Sequence, residues 1–229
     1  MRDDERSEGN RFLVFGHRGS PRAGRENTLS SLTLALGEEA DGFETDLRRL
    51  NDGAIVLFHD SDVDGVPLST MNLDTLRQRV PDVAVLSDLS ELRGRGKMIL
   101  EVKEEGFEED LVAAIRDWPD VVICSFNLAI IERLANRDGG FELGLTVREY
   151  RMDLVPKVGD YDARWFFPRW DVIDEELVDA LHRRNIKVVP WTANRSTQWD
   201  RLEYIGCDGV MTDMPAGAVR WRELRSVKH

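Results

Sequence analysis

The sequence predicts a (β/α)8 barrel, an α/β fold, with one extra antiparallel strand that follows the second barrel strand as a β-hairpin flap. Short apolar segments alternate with amphipathic helical patterns along the chain, which is typical of a parallel sheet covered by helices. Nine segments have strand character, and one of them follows its predecessor after a turn too short for a parallel crossover. Setting that segment aside leaves eight strands, the number in this barrel.

The predicted strands are short apolar runs bounded by turn-forming residues. In chain order they are Phe12–Phe15, Gly42–Leu47, Ala54–Phe58, Met98–Val102, Val121–Cys124, Glu142–Val147, Arg164–Phe167, Lys187–Pro190 and Gly209–Met211. Helical spacing between strands is visible in Phe107, Leu111 and Ile115, and Asp174 is placed to cap a later helix. An open doubly wound sheet is the alternative, but no glycine-rich dinucleotide fingerprint follows the first strand.

The third predicted strand follows the second after a turn that contains Asp52-Gly53, a hairpin signal. If these two residues form a two-residue loop, counting outward along both strands places Asp46 opposite His59. Strand alternation puts Glu44 on the same side as Asp46. A bulge at the glycine would shift this pairing by one residue.

Composition limits the class of protein. A chain of 229 residues with 41% hydrophobic content suits one globular domain, which we expect over 11–229 after a flexible lead-in over 1–10. The net charge of −12 disfavours a nucleic-acid partner. There is no apolar run of membrane-spanning length, and the polar N-terminus lacks a signal core, so we expect a cytoplasmic protein. Cys124 and Cys207 lack metal-ligand spacing and are expected to be buried thiols.

Three carboxylates occur near the ends of predicted barrel strands. Glu44 and Asp46 stand two residues apart in the second strand, and Glu101 lies near the end of another. Carboxylates that point into a barrel are costly unless a cation neutralises them. Three such ligands with open water positions suit Mg²⁺ or Ca²⁺. A salt bridge with an arginine, such as Arg48, is the alternative reading.

Two histidines and two cations complete the set. His17 follows the first strand and His59 follows the third, and together they suit an acid and a base that activate an attacking oxygen and protonate a leaving alkoxide. Arg18 and Lys103 are natural phosphate partners, although either one alone could form a surface salt bridge. The combination indicates hydrolysis of a phosphate diester held on a divalent metal.

Five motifs carry a resemblance to the glycerophosphodiester phosphodiesterase family: Gly16-His17-Arg18-Gly19, Glu26-Asn27-Thr28, Glu44-x-Asp46, His59-Asp60 and Glu101-Val102-Lys103. Weaker matches are Ser125-Phe126, Trp191-Thr192 and Gly209-Val210-Met211-Thr212-Asp213-x-Pro215. The resemblance implies a TIM barrel that hydrolyses glycerophosphodiesters to glycerol 3-phosphate and an alcohol. It implies metal ligands at Glu44, Asp46 and Glu101, and catalytic histidines at His17 and His59. It also implies phosphate binding by Arg18 and Lys103, and places Trp191 near the alcohol, while Glu26 helps to order the mouth.

The sequence departs from the family pattern in two places. Arg25 replaces a proline before Glu26-Asn27-Thr28, which adds positive charge near the expected site. The stretch between His59 and Glu101 is shorter than is usual, so we expect a cleft open to bulkier diesters. Two rival functions remain open. One is a lysophospholipase D-like enzyme, which exposed apolar residues around 165–170 would favour, and the other is a catalytically silent barrel that binds phosphodiesters.

The segment Asp60-Ser61-Asp62-Val63-Asp64-Gly65 opens like a calcium-binding EF-hand loop. The twelfth position is Met71 rather than glutamate, and no helix is predicted before the segment. The sequence therefore predicts a solvated acidic turn here.

Overall fold

The computed structural model describes residues 11–135, 137 and 139–226. The predicted lead-in over 1–10 lies outside the described residues. The strands are β1 (Leu13–Gly16), β2 (Gly42–Arg49), β3 (Ile55–Leu57), β4 (Asp62–Val63), β5 (Val66–Pro67), β6 (Lys97–Val102), β7 (Val121–Ser125), β8 (Glu142–Val147), β9 (Trp165–Pro168), β10 (Lys187–Val188) and β11 (Gly209–Thr212).

The α-helices follow the strands and cover the sheet. They are α1 (Leu29–Gly37), α2 (Leu73–Arg79), α3 (Glu108–Ile115), α4 (Leu128–Leu134), α5 (Val155–Asp160), α6 (Glu175–His182), α7 (Ser196–Tyr204) and α8 (Pro215–Ser226). Short 3-10 helices span Leu68–Thr70, Leu86–Leu92 and Met152–Leu154. The cap predicted for α6 is confirmed, because the Asp174 carboxylate accepts the Leu177 N–H at 2.9 Å.

Eight parallel strands form the barrel in the order β10-β9-β8-β7-β6-β2-β1-β11. Main-chain hydrogen bonds join the two ends of this order, since the Asp208 N–H donates to the Val188 carbonyl and the Met211 N–H to the Pro190 carbonyl, both at 2.9 Å. This confirms the predicted parallel barrel. Because all strands run the same way, their carboxyl ends meet at one mouth.

Alternation along the strands separates two apolar layers. The side chains between sheet and helices form the larger cluster, in which Val14, Leu100 and Ile123 are fully buried. The smaller cluster fills the barrel interior and includes Phe15 and Trp165. The amino-terminal part of the interior is therefore a packed core, and the polar side chains lie toward the carboxyl ends of the strands.

The short strand β3 runs antiparallel to β2, as predicted, with Leu47 opposite Leu57. The predicted pairing of Asp46 with His59 is wrong by one residue. The Phe58 N–H donates to the Asp46 carbonyl at 2.9 Å, so His59 lies one position beyond the residue that faces Asp46.

The turn between β2 and β3 explains the shift. Its loop has three residues and is closed where the Leu50 N–H donates to the Ala54 carbonyl at 2.9 Å. Gly53 has φ of +88°, the left-handed conformation that glycine adopts without steric cost. A three-residue loop ending in a left-handed glycine is the common alternative to a two-residue hairpin.

The acidic segment after β3 forms the exposed hairpin of β4 and β5. Asp64 and Gly65 have φ of +54° and +76° at its tip, and the Asp62 carboxylate accepts the Gly65 N–H at 3.0 Å. The predicted acidic turn is therefore present and exposed to solvent.

No helix within the described ranges is long and apolar enough to cross a membrane.

Candidate active site

The three predicted carboxylate ligands meet at the mouth of the barrel. Parallel pairing of β2 with β6 sets Asp46 beside Glu101, and alternation along β2 turns Glu44 to the same side. All three side chains are buried, and each contributes an oxygen atom to a group in which no two of these atoms are more than 4.8 Å apart. The strand register therefore brings together residues that are far apart in the sequence.

Two cations neutralise part of this charge. The Lys103 ammonium contacts Glu101 and lies 2.8 Å from Asp46 Oδ1. The Arg18 Nε lies 3.1 Å from Asp46 Oδ2, but its N–H is poorly aligned for a hydrogen bond. Burial favours the neutral acid, yet Lys103 and Arg18 outweigh burial and lower the pKa of Asp46. The alternative of an arginine salt bridge is met in part by Arg18 and not by Arg48, which pairs with Glu104 at 2.8 Å.

Among the described residues, no lysine or arginine side chain forms an ion pair with Glu44. Its Oε2 accepts the backbone N–H of Arg18 at 3.0 Å, whereas its buried Oε1 has no hydrogen-bond partner in the described part of the chain. Burial and the negative charge of Asp46 raise the pKa of Glu44 to about 8. An orphaned buried oxygen beside two further carboxylates fits a hard divalent cation, so Glu44, Asp46 and Glu101 could hold Mg²⁺ or Ca²⁺.

Asn27 fixes the orientation of Asp46 and was not singled out in the sequence. Its amide N–H donates to Asp46 Oδ2 at 2.8 Å, while its carbonyl oxygen accepts the Thr45 hydroxyl at 2.7 Å. Asn27 has φ of +55°, a left-handed conformation in which asparagine is enriched. Its place inside the Glu-Asn-Thr motif was the available signal, but the contact itself depends on the fold.

His17 lies at the carboxyl end of β1 and is oriented by an acid. Its Nδ1–H donates to Asp213 Oδ1 at 2.8 Å, and Asn194 holds the other oxygen of Asp213 at 2.7 Å. The His17 Nε2 faces Glu44 Oε2 at 4.0 Å. Burial alone lowers the pKa of His17. The hydrogen bond to Asp213 and the negative charge of Glu44 raise the pKa by more than burial lowers it, so the net shift is upward.

Asp213 was quoted in a sequence motif without a role. Burial opposes its ionisation, but hydrogen bonding and the charge of His17 lower the pKa of Asp213 below its usual value. An ionised Asp213 fixes the tautomer of His17 and leaves Nε2 directed at the carboxylates. The signal in the sequence was an acidic residue directly after β11, at the same mouth as His17.

His59 lies after β3 and is more exposed, with 34% of its side chain accessible. Its Nδ1 is 2.8 Å from Asp60 Oδ1, and its carbonyl oxygen accepts Arg48 Nε at 2.9 Å. Both histidines thus pair Nδ1 with a carboxylate, which leaves Nε2 of each free for proton transfer.

A small pocket of about 30 Å³ unites the site. All predicted site residues except Asp46 line it: His17, Arg18, Glu44, His59, Glu101, Lys103 and Trp191. The unpredicted lining residues include Phe126 and Arg148. The structure therefore places both imidazoles, two cations and two carboxylates around one space, with Asp46 buried beside it.

The phosphate and alcohol residues have further contacts. Arg18 Nη1 lies 2.9 Å from Glu26 Oε1, consistent with the predicted ordering of the mouth by Glu26. The Trp191 indole N–H donates to the Phe167 carbonyl at 2.9 Å, and its ring meets Phe126 edge-on at 5.5 Å. Arg25 does not add charge to the site, because its guanidinium pairs with Asp82.

The arrangement can bind an anion and transfer protons at its two ends. Three hard-oxygen ligands can hold a divalent ion, Arg18 and Lys103 offer positive charge, and two imidazoles can exchange protons with a bound ligand. This is the chemistry required for breaking a phosphate ester bond.

Comparison with known proteins also indicates phosphodiesterase chemistry. The model of the Glycerophosphoryl diester phosphodiesterase family matches residues 17–97 and 95–216. A glycerophosphodiester phosphodiesterase of Caldanaerobacter subterraneus subsp. tengcongensis is 25% identical over 232 residues, which cover 89% of this chain and 94% of that protein.

Solved structures share the fold. The glycerophosphodiester phosphodiesterase of Thermotoga maritima superposes with a TM-score of 0.82 at 21% identity, over 91% of this chain and 97% of that one. An Oleispira antarctica phosphodiesterase was solved in complex with the product sn-glycerol-3-phosphate. It superposes with a TM-score of 0.82 at 23% identity, over 92% of this chain and 96% of that one.

Proposed function

The chain belongs to the glycerophosphoryl diester phosphodiesterase family, a family of phosphoric diester hydrolases, and from this premise we propose that it hydrolyses glycerophosphodiesters to glycerol 3-phosphate and an alcohol, with a divalent metal and two-histidine acid–base catalysis. The observation that carries the proposal is the buried group of Glu44, Asp46 and Glu101, in which one oxygen of Glu44 lacks a partner. The product complex of the Oleispira antarctica phosphodiesterase supports the same choice of substrate.

The carboxylates would hold Mg²⁺ or Ca²⁺, and the bound ion would supply Lewis-acid stabilisation of the charge that develops on the phosphate. Lys103 and Arg18 share that task in our proposal. Both cations already lie against Asp46, and both line the pocket in which the phosphate would bind. Arginine suits two-point contact with phosphate oxygens, and lysine acts as a point charge.

We assign proton removal from the attacking oxygen to His17. Asp213 holds Nδ1, so a neutral His17 presents the Nε2 lone pair toward the pocket. The attacking oxygen belongs either to water or to a neighbouring hydroxyl of the substrate. The ionised Asp213 stabilises the imidazolium that forms, which makes it a positioning residue for His17.

We assign protonation of the leaving alcohol to His59. This residue lines both the small pocket and a larger cleft of about 690 Å³ beside it, so it stands at the boundary between them. We place the departing alcohol in the larger space and the scissile phosphate at the small pocket, which Glu44, Glu101 and both cations line. Trp191 lines the small pocket and not the larger cleft, so we place it on the glycerol side, which revises the position near the alcohol that the resemblance implies.

The lipid-cleaving alternative receives no support from the aromatic cluster that would have favoured it. Trp165, Phe166 and Phe167 are fully buried, and Trp170 is only partly accessible. These rings pack the barrel and do not form an exposed apolar surface for an acyl chain. The cytoplasmic location expected from the polar N-terminus stays a prediction.

A panel of phosphodiesters tests the proposal. Glycerophosphocholine, glycerophosphoethanolamine and a lysophospholipid would each be incubated with Mg²⁺, Ca²⁺ or Mn²⁺, with an EDTA control, and both products identified. We expect metal-dependent release of glycerol 3-phosphate from the water-soluble diesters. Absence of diesterase activity with every metal would instead favour a silent phosphodiester-binding barrel.

A further inference from the structure

The larger cleft opens directly into the reaction pocket. The two spaces share six lining residues: His59, Glu101, Lys103, Phe126, Thr146 and Arg148. At about 690 Å³, the cleft has the size of a typical small-molecule site. Most of its residues come from the carboxyl ends of β2, β6, β7 and β8 and from the segments that follow β3, β6, β7 and β8, so it extends across one side of the mouth.

Arg148 differs from the other arginines of this cleft. Its guanidinium lies over the ring of Phe126, at 4.6 Å from the centroid, and within the described residues it makes no ion pair with a carboxylate. Arg48, by contrast, pairs with Glu104, and Arg151 makes two contacts of 2.8 Å with Asp153. Arg148 therefore has a positive charge and N–H donors available for a ligand, whereas Arg48 and Arg151 are already paired with carboxylates.

Contact with Phe126 also restrains the guanidinium. The ring lies against the guanidinium carbon, while the exposed side chain keeps its N–H groups accessible to a ligand. A planar fork of donors held in this way matches a carboxylate or a phosphate by two parallel hydrogen bonds. Glu149 also lines the cleft, so selectivity would arise from the directed fork rather than from a uniform positive field.

We propose that Arg148 binds an anionic group on the departing alcohol, so that the cleft selects phosphodiesters whose alcohol carries a carboxylate or a second phosphate. This inference rests on the proposed function, because it assigns the alcohol to the cleft. The arrangement opposes a cationic alcohol such as choline, since Phe126, the aromatic ring that both spaces share, already has a guanidinium over its face.

Two substrate pairs test the proposal. Glycerophosphoserine differs from glycerophosphoethanolamine by one carboxylate, and glycerophosphoinositol 4-phosphate differs from glycerophosphoinositol by one phosphate. For the wild type we expect kcat/KM to be about tenfold higher for the acidic member of each pair, the size of effect given by one charge-assisted interaction. In Arg148→Met this preference should disappear.

Arg151→Met is the matched control. It removes a positive charge from the same loop and the same cleft, but from an arginine that Asp153 already neutralises. The control should keep the preference for acidic substrates. Equal use of both members of each pair by the wild type would overturn the inference. An equal loss on all substrates in Arg148→Met would also overturn it, since Arg148 would then contact the scissile phosphate.

Calorimetric binding to His17→Ala, with the metal present, separates this inference from the proposed function. The four diesters should bind this variant with the same order of preference, and Arg148→Met added to it should equalise their affinities. If no diester is hydrolysed by the wild type, the proposed function fails, and the binding order still decides the role of Arg148. Equal affinities in the presence of Arg148 would refute that role.

Discussion

The two ends of the barrel both contain buried charges and a histidine paired with an aspartate, but the groups are balanced differently. At the amino ends of the strands, Asp41 pairs with Arg222 and accepts the Val14 N–H at 2.8 Å. Arg222 also donates to the Phe12 carbonyl at 3.1 Å. At the carboxyl ends, three acids share two cations, and Glu44 retains a buried oxygen without a partner among the described residues.

The histidine pairs show the same contrast. His182 contacts Asp208, which also accepts the Val188 N–H at 2.7 Å and thereby ties neighbouring strands together. His17 contacts Asp213 with Nδ1 and directs Nε2 toward acids in a pocket. A fully partnered charge supports the fold, whereas a surplus of charge beside a cavity is typical of a site that awaits a ligand.

The largest expected effect is on turnover. His17→Ala and His59→Ala should each lower kcat by at least about a hundredfold, because each removes a proton-transfer group. Both proteins should remain folded, as judged by circular dichroism and thermal unfolding. His182→Ala is the matched control at the opposite end of the barrel and should retain normal kcat. Near-normal turnover in either of the first two variants would refute the two-histidine scheme.

A substitution at the amino end of the barrel should have the opposite result, a loss of stability without a loss of activity. Arg222→Met leaves the Asp41 carboxylate without its main partner and should lower the free energy of unfolding by about 3 kcal/mol. Because Arg222 is remote from the pocket, kcat/KM of the folded protein should stay within about twofold. Denaturant titration measures the free energy of unfolding, and steady-state kinetics measure kcat/KM. A large loss of activity without a loss of stability would contradict our view that the charges at the amino end support the fold and those at the carboxyl end serve the reaction.

Metal binding should stabilise the protein through the carboxylates at the carboxyl end of the barrel alone. A divalent ion at a hundred times its dissociation constant should raise the free energy of unfolding by about 2.7 kcal/mol. The gain should vanish in Glu44→Gln and persist in Arg222→Met. Thermal unfolding with Mg²⁺, Ca²⁺ or EDTA measures it, and an equal gain in Glu44→Gln would exclude Glu44 as a ligand.

The last prediction concerns the pH dependence of stability without metal. The pKa of Glu44 is raised from 4.5 to about 8, so between these values the folded state binds more protons than the unfolded state. Stability contributed by this group is therefore complete below pH 4.5 and is lost as the pH rises toward 8. The raised pKa of Glu101 acts in the same direction. Denaturant titrations in EDTA should show a shallower decline for Glu44→Gln, and an unchanged decline would contradict the assignment.

The sequence was sufficient for the barrel and for most of the residues that meet at its mouth, because both follow from local patterns. Apolar runs marked the strands, and polar residues at strand ends marked the mouth. The hairpin register was wrong because it depends on the conformation of Gly53, which a sequence signal for a turn does not settle. Asp213 lies 196 residues from His17, so only the closed barrel reveals their contact.

Arg148 illustrates the same limit from the other direction. Arginine is abundant along the chain, and nothing in its local sequence separates Arg148 from Arg151. The distinction arises from neighbours supplied by the fold, since Phe126 lies after β7 and Arg148 after β8. A free guanidinium can therefore be recognised only once the partners of the others are known.

Anomalous diffraction from crystals grown with Mn²⁺ tests the central claim most directly. We predict one strong anomalous peak at coordination distance from oxygens of Glu44, Asp46 and Glu101, and its loss in Glu44→Gln. A peak at another site, or none at the mouth in a protein that hydrolyses diesters, would contradict the account.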